Sequence, residues 1–149
     1  MKKISLFLLS IFFLGLGFSQ SYKVNCVGFY NLENLFDTIN DPNINDEDFL
    51  PEGSYTWGTK KYTNKINNMA MVISKIATEV TPDGLALLGV AEVENRSVLE
   101  DLVADEQLKD RDYKIIHYDS PDHRGIDVGL LYQEKDFTPT NCVTYELSL

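Results

Sequence analysis

Leu85-Ala-Leu-Leu-Gly-Val-Ala91 runs straight into Glu92, and Lys23-Val-Asn-Cys-Val-Gly-Phe-Tyr30 runs straight into Asn31. The run Leu85–Glu92 is continuously apolar, the pattern of a strand buried on both faces and so covered by helices on each side. Between the two strands, Tyr62, Ile66, Met69, Ile73, Ile76 and Val80 recur at steps of three and four within Lys60–Val80. That spacing predicts an amphipathic helix packed on a sheet and ended by Pro82, Asp83 and Gly84. Strand, helix and strand in this order make an α/β chain. Such folds deliver polar side chains to one edge of the sheet, so Asn31 and Glu92 are the candidate pair. An amide oxygen and a carboxylate together suit a hard divalent cation such as Mg²⁺.

Past Glu92, Ser97 and Glu100 have the spacing of a capping box ahead of Val98, Leu99, Leu102 and Val103, which predicts a short helix. Glu94 and Asn95, just beyond the strand, read as supporting or capping residues, and Glu33 and Asn34 as solvated or helix-start residues. Two strands follow, Tyr113–Tyr118 and Ile126–Tyr132, with the turn-forming Asp119-Ser-Pro-Asp-His-Arg-Gly125 between them, the signature of an antiparallel hairpin. A last strand-like stretch spans Asn141–Leu147. His117 reads as a packed or surface residue rather than a base.

The polar stretch Asp37–Gly53 is a loop punctuated by Pro42 and Pro51. Asp41, Asn43, Asn45 and Glu52 take the first, third, fifth and twelfth places of a calcium-loop pattern, but Asp46 stands where that loop needs glycine. A calcium- or ligand-binding module without catalysis is therefore the rival reading, behind a plain solvated loop.

Lys2 and Lys3 precede the apolar run Ile4–Phe18, which ends in Ser19, Gln20 and Ser21. This has the form of a signal peptide over residues 1–20, shorter than the roughly 20 apolar residues of a membrane helix. Secretion, to the periplasm or beyond, follows, with residues 21–149 as one domain. The formal charge of -10 argues against tight, metal-free binding of nucleic acid. Cys26 and Cys142, the only cysteines, have a spacing that decides nothing about pairing. No sequence feature points to a stable protein partner.

Three motifs now stand in order: Phe29-Tyr-Asn31-Leu-Glu-Asn34-Leu-Phe36, Leu88-Gly-Val-Ala-Glu92-Val-Glu94-Asn95 and Arg124-Gly-Ile-Asp127-Val-Gly-Leu-Leu-Tyr132. Together they resemble the endonuclease/exonuclease/phosphatase superfamily, the DNase I-like fold, and look closest to its secreted bacterial members. The resemblance implies a four-layer α/β/β/α sandwich, of which this chain carries the N-terminal half. It implies a phosphoesterase acting on nucleic acid or a small phosphorylated molecule, with Asn31 and Glu92 as catalytic residues and as ligands of Mg²⁺ (or Mn²⁺ or Ca²⁺). Arg124 and Asp127 would border the substrate groove. The family's later His, Asp-x-Asn and Asp-His motifs do not occur here, so the chain is expected to be inactive alone and to expose an apolar sheet face.

Overall fold

Strand β1 (Cys26–Leu35), helix α1 (Thr59–Lys75), strand β2 (Leu85–Val93), helix α2 (Arg96–Ala104) and strands β3 (Tyr113–Tyr118) and β4 (Asp127–Gln133) follow in sequence. The computed structural model describes Gln20 and residues 22–145, so the expected signal peptide falls almost entirely outside the described residues. The four strands make one sheet in the order β1-β2-β4-β3. β1 and β2 are parallel, as a helical crossover requires. β4 runs antiparallel to both β2 and β3, and β3–β4 is the hairpin that the turn residues predict.

The core lies on one side of this sheet. Leu32 of β1, Leu88 and Val90 of β2 and Leu131 of β4 meet Ile66, Ala70 and Ile73 of α1 and Val98, Leu99 and Leu102 of α2, all buried. Gly129 lets α2 come close, since a Cβ there would stand 2.8 Å from Leu99 Cδ1. Both helices thus cover the same face. The expectation of helices on each side of β2 is wrong: on the outer face Leu87, Gly89 and Ala91 are only half-buried. Beside them, Val27, Phe29 and Val128 are 67%, 71% and 66% exposed. A continuous apolar run reports two apolar faces, and among the described residues the outer one meets only the irregular segment 137–145, which shares a cavity with Leu87, Ile116 and Leu130. The exposed apolar face anticipated from the sequence is present.

Several boundaries depart from the sequence reading, beginning with β1, which starts at Cys26 and runs on through Asn31 to Leu35 instead of ending at Asn31. α1 stops at Lys75, because Ile76 is extended and Ala77 left-handed, at φ 63°. The Arg111 guanidinium donates to the carbonyl of Ser74 (3.1 Å), one of the groups that a helix end leaves open, and to that of Pro82 (2.8 Å) in the turn beyond. Ile76 and Ala77 still pack on the core, so the helical spacing of apolar residues outlasts the helix. α2 is capped by Asn95, whose Oδ1 accepts the Val98 N–H at 3.1 Å and the Ser97 hydroxyl at 2.6 Å. The Ser97–Glu100 box does not form, and Glu100 pairs instead with Arg96 at 2.8 Å. Of the last expected strand, residues 141–145 are irregular and the remainder lies outside the described residues.

Leu88, fully buried at the centre of β2, gives the direct check on this core. Leu88→Ala is expected to lower unfolding free energy in urea by about 2–5 kcal/mol. A loss below about 1 kcal/mol would mean that this face is not the core.

Candidate active site

After a shift between Cys26 and Val27, the β1–β2 ladder is regular from Val27–Leu87 to Asn31–Ala91 and resumes at Leu35–Val93. Leu32, Glu33 and Asn34 therefore face Glu92 alone. On the other side β2 pairs Ala91 with Val128 and Val93 with Asp127, which leaves Glu92 as the extra residue of a bulge. Glu33, Asn34 and Glu92 are all left-handed, at φ 52°, 59° and 59°. Non-glycine residues rarely adopt this conformation, and bulges that impose it re-aim side chains. Here the result is contact between neighbouring strands: Asn31 Nδ2 donates to Glu92 Oε1 at 2.8 Å. The Glu33 N–H donates to Asn31 Oδ1 at 2.7 Å, and this fixes which way the amide points.

Lys65 of α1 secures the bulge from beneath. Its ammonium donates to the carbonyls of Glu33 and of Asn34, the latter at 3.2 Å, and lies 5.6 Å from the Trp57 ring. Burial pulls the Lys65 pKa down, against the opposing pull of Glu33 and Glu92. Trp57 is itself tied to the end of β1 by its indole N–H, which donates to the Phe36 carbonyl at 2.9 Å. Behind the bulge is a second acidic layer. Glu94, 5% exposed, accepts the Asp37 N–H at 2.6 Å, and Asn95 Nδ2 donates to Asp37 at 3.2 Å. Desolvation pushes the Glu94 pKa up to about 7 despite the Asp37 N–H, and the charges of Asp37, Asp46 and Asp41 add to the rise.

A polar pair delivered to the carboxyl end of two parallel strands has a counterpart in known proteins, since a family model described as endonuclease/exonuclease/phosphatase matches residues 26–149. The chain belongs to the endonuclease/exonuclease/phosphatase family. No curated protein and no solved structure matches it. The family's members are hydrolases of phosphate esters and are typically metal-dependent. The mixed sheet with two helices on one face is the arrangement of a DNase I-like half domain.

The Asn31–Glu92 site fits the cation such a family uses. The donors are the Glu92 carboxylate oxygens, the choice of a hard divalent ion, and Asn31 engages only one of them; the amide-oxygen ligand expected of Asn31 is not offered, because its Oδ1 is taken by the Glu33 N–H. Asn31 turns its NH₂ toward Glu92, so its contact holds the carboxylate in place. Arg124 forms a forked pair with Asp122, Nη2 to Oδ2 being 2.6 Å, on an exposed turn. The Asp122 carboxylate holds the Arg124 pKa above its ordinary value, and the charge of Glu92 adds slightly to the rise. Asp127 does not face a groove; it is 4% exposed, accepts the Ser120 N–H at 2.7 Å and abuts His117.

The calcium-loop pattern is not assembled. Asp41 Oδ1 accepts from both the N–H and the side-chain amide of Asn43, and Asp46 is buried and accepts the Asp41 N–H. These carboxylates close the loop on itself, and no cluster of three acidic, His or Cys ligands forms there among the described residues. Cys26 and Cys142 are both free thiols, the first half-buried in β1 and the second exposed. Lys65 and the positive φ at Glu92 carry no sequence signal, since helix spacing alone places Lys65 on a solvent face.

Glu94 makes the site pH-sensitive in a defined direction. Its folded pKa of about 7 exceeds its ordinary value of 4.5, so the folded chain binds the proton more tightly than the unfolded one. The stabilisation is full below about pH 4.5 and is lost as pH rises toward 7. Glu94→Gln is expected to raise stability at pH 8 by about 1–2 kcal/mol, after allowance for solvent screening, and to leave it nearly unchanged at pH 4. Denaturant melts at the two pH values check this; an equal effect at both would assign the residue no such role.

Proposed function

We propose that the chain carries the cation-binding part of a Mg²⁺-dependent phosphoesterase, with Mn²⁺ or Ca²⁺ as possible replacements, that hydrolyses phosphodiester or phosphomonoester bonds. The observation that supports this reading most directly is the 2.8 Å contact of Asn31 with Glu92 across adjacent parallel strands, held by left-handed residues on both. Glu92 would hold the ion through its carboxylate. Bound there, Mg²⁺ supplies a Lewis acid for a phosphoryl oxygen and a counter-charge for the leaving oxygen. Asn31 keeps the Glu92 carboxylate oriented, and Lys65 keeps the backbone of Glu33 and Asn34 in the bulge that makes this orientation possible. Arg124 would meet substrate phosphate by exchanging its Asp122 partner for phosphate oxygens, a fork-to-fork swap that guanidinium geometry allows. Asp127 would act from beneath, by fixing the turn that carries Arg124.

The net charge of -10 disfavours long polyanions except where a cation mediates, so small phosphorylated molecules or short nucleic acids suit the site better. A signal peptide over residues 1–20 would place this chemistry outside the cytoplasm. Turnover by the 149-residue chain alone is expected to be absent, because Asn31 and Glu92 provide a cation and its orientation but no base for the attacking water.

Calorimetric titration of Mg²⁺ into the 149-residue chain tests the reading. Glu92→Gln is expected to abolish the binding heat and Asn31→Ala to weaken affinity by about 10–100-fold, the usual effect of removing a residue that orients a ligand. Unchanged Mg²⁺ affinity in Glu92→Gln would sink the assignment. Glu92-dependent hydrolysis of bis(p-nitrophenyl) phosphate by this chain would refute the inactivity.

A further inference from the structure

His117 is the last but one residue of β3 and Asp127 begins β4; the hairpin pairs His117 with Gly129, which leaves Asp127, two residues before it and next to the Glu92 bulge, as a diagonal neighbour on the same face. Both side chains are sequestered, at 3% and 5% exposure. His117 Nε2 lies 3.0 Å from Asp127 Oδ2, yet it makes no hydrogen bond, because the oxygen sits off the axis of the ring N–H. A buried imidazole nitrogen without a bond and a buried carboxylate beside it are costly unless a third group reconciles them. Among the described residues His117 is the only ionic partner of Asp127; Arg124 is taken by Asp122 and Arg96 by Glu100.

This off-axis approach is the spacing of two ligands on one ion. Ligand bonds of about 2.1 Å set at a right angle bring nitrogen and oxygen to about 3.0 Å from each other, with the oxygen well away from the lone-pair axis. The third donor is Asp119, the residue after β3; its Oδ1 now lies 3.8 Å from the other ring nitrogen, Nδ1, and has to swing to the Nε2 side to share an ion with Asp127. The Asp119 side chain is 91% exposed. One donor atom from each of the three side chains falls within 4.8 Å of the other two, the only such group among the described residues. Asp127 is already oriented as a ligand should be, since its other oxygen accepts the Ser120 N–H at 2.7 Å.

We propose that His117, Asp119 and Asp127 form a second cation site, separate from Glu92, for a borderline divalent ion of the Zn²⁺ or Mn²⁺ kind. One imidazole and two carboxylates select such ions over Mg²⁺, which prefers oxygen alone. His117 and Asp127 form the fixed part of the site. Asp119, free to rotate, closes it, and water completes the coordination. Because Ser120 and the turn to Arg124 hang from Asp127, the ion also stiffens the hairpin beside the Glu92 bulge.

The chain has only two histidines, so imidazole ¹H–¹⁵N spectra of the full 149-residue protein read the site directly during a Zn²⁺ titration. His123→Gln assigns the His117 signals. The expected result is a His117 ¹⁵N shift that saturates near one equivalent of Zn²⁺ and persists in Glu92→Gln. Asp119→Asn, at an exposed position that cannot threaten the fold, is expected to weaken the apparent affinity by about 10-fold or more, and Asp127→Asn further. A His117 signal unmoved by millimolar Zn²⁺, or a titration that neither Asp119→Asn nor Asp127→Asn alters, would overturn the proposal. Loss of the shift in Glu92→Gln would also overturn it, by showing one shared site instead of two.

Discussion

The slip in the β1–β2 ladder, three residues of β1 against Glu92 alone, is the constraint on which this end of the molecule depends. A regular parallel ladder would continue the alternation, with Glu92 on the helix-covered face beside Leu88 and Val90. A carboxylate there would be buried in a core lined by Leu99 and Leu102. The bulge avoids that outcome by turning one residue out of register, at the cost of three left-handed residues of order 1 kcal/mol or more each. The contacts that offset this cost come from both layers: Asn31 and Glu33 within the sheet, Lys65 from the helix below.

Charge is organised around the slip on two levels. Glu92 has one carboxylate oxygen oriented by the Asn31 amide, whereas Glu94, two residues on, is buried and held toward its neutral form. Two carboxylates on one strand end thus have different electrostatic duties because their solvation differs. Asp37, Asp41 and Asp46 sharpen the contrast by raising Glu94 while closing their own loop through backbone N–H groups.

Much of this was legible in the residues. Apolar runs that end at Asn31 and Glu92 announced the strands, the steps from Tyr62 to Ile73 announced α1, and Asp119–Gly125 announced the hairpin. What was hidden is tertiary. Nothing local tells that Glu33, Asn34 and Glu92 are left-handed, since none is glycine and the neighbouring strand imposes the conformation. The end of α1 is settled by Arg111, far along the chain, and the start of α2 by competition in which Asn95 caps and Ser97 becomes its donor. The outer face of β2 looked like a second buried face because apolarity does not say what covers it. Asp127 stood out in the sequence as a groove residue and His117 did not; that they meet, diagonally across the hairpin, follows from the β3–β4 register.

Trp57, the chain's single tryptophan, gives the bulge an optical address. Its ring lies beside the Lys65 ammonium, and its N–H is anchored to the strand that carries Asn31. Indole emission responds to nearby positive charge, so any event that draws Lys65 from the carbonyls of Glu33 and Asn34 changes the colour or yield of one fluorophore. The molecule therefore contains its own intrinsic reporter of the state of the strand slip, and no dye or label need be attached to follow it.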